Sequence, residues 1–348
     1  MIDDLINKHI ELEEKFGDGN SGDFISGWQC RNKYEKKITA TISRFARDLH
    51  RERYAYQSDF PIIEERIKNR IKANQNRAID NILLSSGSTQ LIWLIMSWLS
   101  VQGYDEIYYV SPIYHTAHFA AKKYGIRLRA INCFHPYESE FDVNLPAGRS
   151  FLILTNPVWY AGTRIPLHVL DKIRKWQDET GSFILVDGSF EGTQWDNELA
   201  VNWLCFDNSK TMHILCPSKQ LVYHGARASY LTTPDNLYRK LQTIYSMIFG
   251  SLASETIAFL LAEEELLNKL NLPKKIMLKA SETHEKLRKA GVIEAPWNPV
   301  CGYFCFEKID EKYKPQLLMG GDFFDQKKYP DFSRINLLSP QISILFNN

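Results

Sequence analysis

The chain has 348 residues, a length that suits one large domain joined to a smaller one. With 44% hydrophobic and 24% charged residues it has the composition of a folded globular protein, which excludes wholesale disorder. Its 42 basic and 41 acidic residues leave a formal charge of +1, so no global field draws it to nucleic acid or to an anionic membrane.

In chain order, residues 3–16 read as an amphipathic helix broken by the glycines of 17–22. The start is acidic and lacks the cationic region of a signal peptide. Residues 33–50 and 61–74 read as further helices, the second with a basic but solvated face (Arg66, Lys68, Arg70, Lys72) diluted by Glu64 and Glu65. After residue 80 short apolar runs alternate with helix-period segments. Residues 81–84, 106–110, 127–131, 151–154, 183–186 and 212–215 read as buried strands, with helices at 90–98, 116–124 and 167–180 between them. That alternation predicts a mostly parallel sheet with helices on both faces and a ligand site at the strand C-terminal edge. From about residue 235 the pattern turns helical (237–249, 253–269, 273–289), and short strands follow around 302–306 and 334–338, as in an α+β unit. The longest apolar stretches, such as 91–99, are too short to span a bilayer. The six cysteines are scattered and too sparse for a disulfide framework. Cys301 and Cys305 read as reduced thiols, and a cytoplasmic location is expected.

The polar signals fall just after strand ends. Ser85-Ser86-Gly87-Ser88-Thr89 opens a helix, where free backbone N–H groups and the helix dipole favour an anion, or where a plain helix cap would look the same. It is neither a Walker loop nor a dinucleotide fingerprint. Asn156-Pro157 follows one strand and Asp187 ends another, a costly place for a carboxylate without a partner. Ser218-Lys219 follows a third, and a lysine in a sheet-edge pocket can become a nucleophilic amine. Gly225 and Arg227 lie beyond it.

Taken in order, these residues resemble the fold-type I pyridoxal phosphate enzymes, specifically class I/II aminotransferases. The likeness runs from about residue 50 to the C-terminus through Gly87-Ser88-Thr89, Pro112-Ile113-Tyr114, Asn156-Pro157, Asp187, Ser218-Lys219 with Gly225 and Arg227, and Ser333-Arg334-Ile335-Asn336. Gly320-Gly321-Asp322-Phe323-Phe324 looks like the loop ahead of the family's carboxylate arginine. The resemblance implies a three-layer αβα fold with a mostly parallel seven-stranded sheet and a smaller α+β domain. It divides the chain into a large domain at 45–270 and a small domain with N-terminal arm at 1–44 and 271–348. It implies pyridoxal 5'-phosphate as cofactor, held through a Schiff base by Lys219, which would also move protons. Asp187 would pair with the pyridine nitrogen, Asn156 would donate to the phenolate oxygen, and Tyr114 would stack on the ring. Gly87, Ser88, Thr89, Ser218 and Arg227 would form the phosphate site, and Arg334 would fork onto the substrate α-carboxylate. Tyr54, or the equally near Tyr56, would reach a partner subunit's phosphate in a homodimer. The same resemblance leads us to expect cis peptide bonds at Ser111-Pro112 and Asn156-Pro157.

There are departures from the family pattern. Asp187-Gly188-Ser189-Phe190 puts phenylalanine where a tyrosine normally donates to the cofactor, so Phe190 either faces the cofactor or sits in the core. Cys216 stands where a phosphate-binding serine or threonine is common. Trp159-Tyr160-Ala161 replaces Asn-Pro-Thr/Ser before Gly162, and the segment around Gly27-Trp28 matches no subfamily. The expected activity is transfer of an amino group from an α-amino acid to a 2-oxo acid. The Asp-x-x-Phe variant is also similar to threonine-phosphate decarboxylases, relatives of histidinol-phosphate aminotransferases. Decarboxylation or other carbanion chemistry is therefore the first alternative, and a non-catalytic cofactor-binding regulator the second. No second arginine marks a dicarboxylate substrate.

Overall fold

The structure, a computed structural model, describes residues 25–47, 54–75, 79–136, 141–195, 206–294, 299–309 and 329–346, with single residues 7, 49, 52 and 138. The helix expected at 3–16, its glycine break and the 320–324 loop lie outside this set, apart from residue 7.

The chain begins with α1 (Glu35–Ala46) and α2 (Pro61–Gln75) and then alternates. In order come β1 (Asn81–Ser85), α3 (Ser88–Val101), β2 (Glu106–Ser111), α4 (Thr116–Lys123), β3 (Arg127–Cys133), β4 (Phe151–Thr155), α5 (Leu167–Thr180) and β5 (Phe183–Gly188). β6 (Thr211–Leu215), the short α6 (Pro217–Gln220) and β7 (Ser229–Thr233) follow. The helical stretch contains α7 (Asp235–Phe249), α8 (Ser254–Glu264), which runs on into a π turn at Glu265–Lys269, and α9 (Leu272–Lys289). β8 (Phe304–Lys308) and β9 (Phe332–Asn336) close the order.

Seven strands form one sheet in the order β1-β7-β6-β5-β4-β2-β3. β7 runs antiparallel to both β1 and β6, and every other pairing is parallel. β4 and β5 are buried along their whole length, which is why they read as unbroken apolar runs. β7 has no such run. Its Ser229, Thr232 and Thr233 are buried all the same, and the Thr232 hydroxyl accepts the His213 N–H at 3.1 Å, so its polar atoms are hidden within the sheet. Helices cover both faces and complete three αβα layers. The helical stretch after residue 235 begins within these layers, because α7 packs on α3 and β1 and α8 packs on α1 and α2. Arg70 of α2 pairs with buried Glu263 of α8 at 2.7 Å and donates to the Tyr230 hydroxyl on β7, tying the outer helices to the sheet.

β8 and β9 pair antiparallel as a separate two-stranded sheet, with Phe306 opposite Arg334. One turn docks this smaller α+β part on the large sheet. Gly162 has φ +65°, and its carbonyl accepts the N–H groups of Val300 at 2.8 Å and Cys301 at 3.1 Å. A Cβ at Gly162 would lie 2.7 Å from the carbonyl oxygens of both Cys301 and Phe304. Only glycine fits both the left-handed conformation and the close approach. Residues 25–31 are stitched along β9: Asn336 donates its side-chain NH2 to the Gly27 and Gln29 carbonyls, and its backbone N–H goes to Ile25. Both Ser111-Pro112 and Asn156-Pro157 are cis. Among the described residues no helix is long and apolar enough to cross a membrane.

Gly162→Ala should therefore cost about 1–3 kcal/mol from backbone strain alone, with the carbonyl clash added. Urea unfolding would measure it. A change below ~0.5 kcal/mol would show that the turn is not clamped as described.

Candidate active site

The C-terminal ends of β1, β4, β5 and β6 point to one edge of the sheet, and the residues that follow them converge there. The register sets Thr155 beside Asp187 and Gly188 beside Leu215, so Asn156, Asp187 and the Cys216–Lys219 turn become neighbours.

Asp187 is the penultimate residue of β5 and lies in the interior. Its Oδ1 accepts both the backbone N–H (3.1 Å) and the hydroxyl (2.5 Å) of Ser189. Oδ2 takes no hydrogen bond among the described residues. Burial raises the carboxyl pKa; the two Ser189 bonds and the Lys219 charge act the other way. A carboxylate so placed calls for a cation against Oδ2.

Lys219 sits on α6. Burial lowers its amine to a pKa of about 8, with the nearby Arg227 and Arg334 charges adding to the effect. Its Nζ makes no hydrogen bond or ion pair with the described residues and lies 4.0 Å from the centre of the Trp28 ring and 5.9 Å from that of Phe190. Asn156 is buried between these elements. Its Oδ1 accepts the Ile165 N–H at 2.9 Å, which fixes Nδ2 as the donor end.

At the N-terminus of α3, Gly87 is the cap residue, with φ +116°. The Arg227 guanidinium packs over it so closely that a Cβ there would lie 2.7 Å from Nη2. Arg227 is exposed and forms no ion pair among the described residues. An uncompensated guanidinium, a helix N-terminus and the half-buried Ser88 and Thr89 form a cradle that suits a phosphate. Ser218 lies below, its hydroxyl donating to the Ala228 carbonyl at 3.0 Å. Cys216 is a buried thiol 3.4 Å from the Ser189 hydroxyl, and burial pushes its pKa up to about 11, so it stays protonated. Tyr114 is half-buried, edge-on to Trp159 at 6.3 Å.

On the far side lies Arg334 of β9, 0% exposed. Its Nε donates to the Ser26 carbonyl at 3.0 Å, and Nη2 donates to the same oxygen. Three rings enclose the guanidinium: Phe304 at 4.4 Å, Trp28 at 4.9 Å and Trp159 at 5.1 Å. Burial pulls its pKa down to about 9, which leaves it charged at neutral pH. Trp28 and Trp159 stack at 5.2 Å, so a single indole touches both cations, Lys219 and Arg334.

The class I and II aminotransferase family model matches residues 31–328. The chain belongs to the class I and II aminotransferase family. Membership carries with it aminotransferase-type chemistry on pyridoxal phosphate and a small-molecule amino acid substrate. No curated protein matches the chain by sequence. Among solved structures, a probable N-succinyldiaminopimelate aminotransferase from Thermus thermophilus is similar at 13% identity and a TM-score of 0.77, over 99% of this chain and 98% of that one. An aminotransferase from Neisseria meningitidis gives 15% identity and a TM-score of 0.77, over 97% and 96%. Substrate-bound BacF from Bacillus subtilis gives 12% and 0.77, over 98% and 93%. At such identities the likeness to these aminotransferases is one of fold.

Within this aminotransferase frame, Gly87, Ser88, Thr89, Asn156, Asp187, Ser218, Lys219 and Arg227 lie together at the sheet edge, with Tyr114 and Phe190 on the aromatic side. Phe190 is buried, 5.1 Å from Tyr303 and 6.4 Å from Trp159, and it borders Lys219, so it is a core residue and a wall of the site at once. Tyr54 stands apart, 76% exposed. Sequence reasoning assigned no role to Trp28, Trp159 or Phe304, which form the aromatic cage. Trp28 and Trp159 were visible only as departures from the family pattern, and Phe304 gave no signal.

The Lys219 amine of the cofactor-free chain should be mostly protonated and slow below pH 8, and free and fast above it. Reductive methylation followed by peptide mass spectrometry should give a midpoint near pH 8 at Lys219. A midpoint near 10.5, the ordinary lysine value, would show a solvated side chain instead.

Proposed function

We propose that this chain is a pyridoxal phosphate-dependent aminotransferase that moves an amino group from an α-amino acid to a 2-oxo acid, with Lys219 as the cofactor's anchoring amine. The observation that carries this reading is the pairing of a lowered-pKa amine with a buried carboxylate at neighbouring strand ends, beside an uncompensated arginine over a helix N-terminus.

The residues fit the cofactor. Gly87, Ser88, Thr89 and Arg227 would hold its phosphate, and the Arg227 guanidinium would gain the anion it lacks. Asp187 Oδ2 would take the protonated pyridine nitrogen, which supplies the cation a buried carboxylate requires. Asn156 Nδ2 would donate to the phenolate oxygen, and Tyr114 would lie against the ring. Bound there, the cofactor supplies an aldehyde that receives the amino group and a ring that accepts the electron pair left at Cα. Lys219, with its pKa near 8, has a free-amine fraction at neutral pH that an ordinary lysine lacks, and it would carry the proton at Cα. Arg334 would bind the substrate carboxylate in a planar fork. Trp28, Trp159 and Phe304 enclose it, and these rings would exclude water from the bound carboxylate.

Tyr54 is exposed on the single chain, which suits a role across a homodimer interface. Phe190 borders Lys219 without a hydroxyl to offer, and on that observation α-decarboxylation, as in threonine-phosphate decarboxylases, is the second reading. The histidinol-phosphate aminotransferase type belongs with the first.

A screen of amino acids against the cofactor-loaded enzyme separates the two readings. Transamination should bleach the cofactor's visible band, and a 2-oxo acid should restore it. Carbon dioxide release without a stable change would favour decarboxylation, and no response to any amino acid would overturn both. Arg334→Lys keeps the charge but loses the fork, so kcat/KM should fall at least ~10-fold for every α-amino acid while the cofactor spectrum stays the same. Unchanged kinetics would place the carboxylate elsewhere.

A further inference from the structure

Successive residues of β8 face opposite ways. Phe304 and Phe306 face the large sheet: Phe304 covers Arg334, and Phe306 packs on Tyr160 at 5.2 Å. Cys305 and Glu307 face the other side, where α9 presents His284 among the buried residues Ile276, Met277, Ala280, Thr283 and Leu287.

The result is a polar cluster inside an apolar layer. An imidazole nitrogen of His284, the sulfur of Cys305 and a carboxylate oxygen of Glu307 all lie within 4.8 Å of one another, and all three residues are buried. Among the described residues no other group of three such ligands is as close. His284 Nε2 stands 3.4 Å from Glu307 Oε1, longer than a well-formed charged hydrogen bond. A simple ion pair would use His284 and Glu307 and leave the thiol idle.

We propose that His284, Cys305 and Glu307 bind a divalent metal ion with the preferences of zinc. Thiolate, imidazole and carboxylate are zinc's usual donors, and three of them leave one tetrahedral position for a water. The charges also balance. A neutral imidazole, one thiolate and one carboxylate around a 2+ ion sum to zero, so the bound ion brings no net charge into the apolar layer. Cys305 gives up its proton to solvent as the sulfur–metal bond forms, and nothing is oxidised. The ion would brace β8 against α9 and so steady Phe304 at the aromatic cage. Trp195 links the two regions: its ring lies 5.8 Å from His284, and its Nε1 donates to the Gly302 carbonyl at 2.7 Å, next to Phe190.

The test uses the full cofactor-loaded protein, stripped with a chelator and then given zinc. About one zinc per chain should remain after gel filtration, with a rise in Tm. Cys305→Ser and His284→Gln should each lose both effects, while Cys133→Ser on the distant edge strand keeps them. If either variant fails to fold, the wild-type zinc X-ray absorption spectrum decides the matter: one sulfur at about 2.3 Å with nitrogen and oxygen neighbours is expected. No retained zinc, retention unchanged in both variants, or a shell without sulfur would overturn the proposal.

Discussion

Asp187 places a carboxylate at the end of a strand whose every residue is buried, and much of the site can be understood as the answer to that charge. Ser189 supplies two hydrogen bonds to one oxygen, and Lys219 supplies a positive field. Neither is a full partner, so the site is preorganised for a cation that comes from outside the chain. The parallel register makes this possible, because it brings the ends of β4, β5 and β6 level and lets three loops meet at one carboxylate. The complementary deficit is at Arg227, where a guanidinium over a helix N-terminus waits for an anion. A ligand with a phosphate at one end and a basic ring nitrogen at the other would answer both.

The substrate side follows a different principle. Arg334, the residue proposed to take the substrate carboxylate, is buried against three aromatic rings. The Ser26 carbonyl accepts from its guanidinium. Trp28 completes the enclosure from the N-terminal segment, held in place by Asn336 and Ser26 against β9. The strand that carries Arg334 therefore also holds the residue that covers it. The Gly162 turn fixes the whole unit over the sheet edge.

What could be read from the sequence followed the range of the interactions. β4 and β5 announced themselves as apolar runs, and α5 was readable to both ends because Leu167–Thr180 has clean helical spacing. The residues proposed to hold the cofactor could be singled out because most lie at or just after a strand end, and the family resemblance then gave each its expected role. β7 was not readable, because Ser229, Thr232 and Thr233 leave only Tyr230 and Leu231 as an apolar run, too short to read as a strand until β1 and β6 pair with it. The cage was hidden for another reason. Trp28, Trp159 and Phe304 are far apart in sequence and meet only when β8 and β9 dock on the sheet. Phe190 could be placed on the right turn, but only packing shows that it serves core and site together.

On the proposed reading Lys219, and no other lysine, anchors the cofactor. Borohydride reduction of the cofactor-loaded protein, followed by peptide mapping, tests it directly. A single phosphopyridoxyl adduct on the peptide containing Ser218-Lys219 is expected. An adduct on a different lysine, or none, would contradict it.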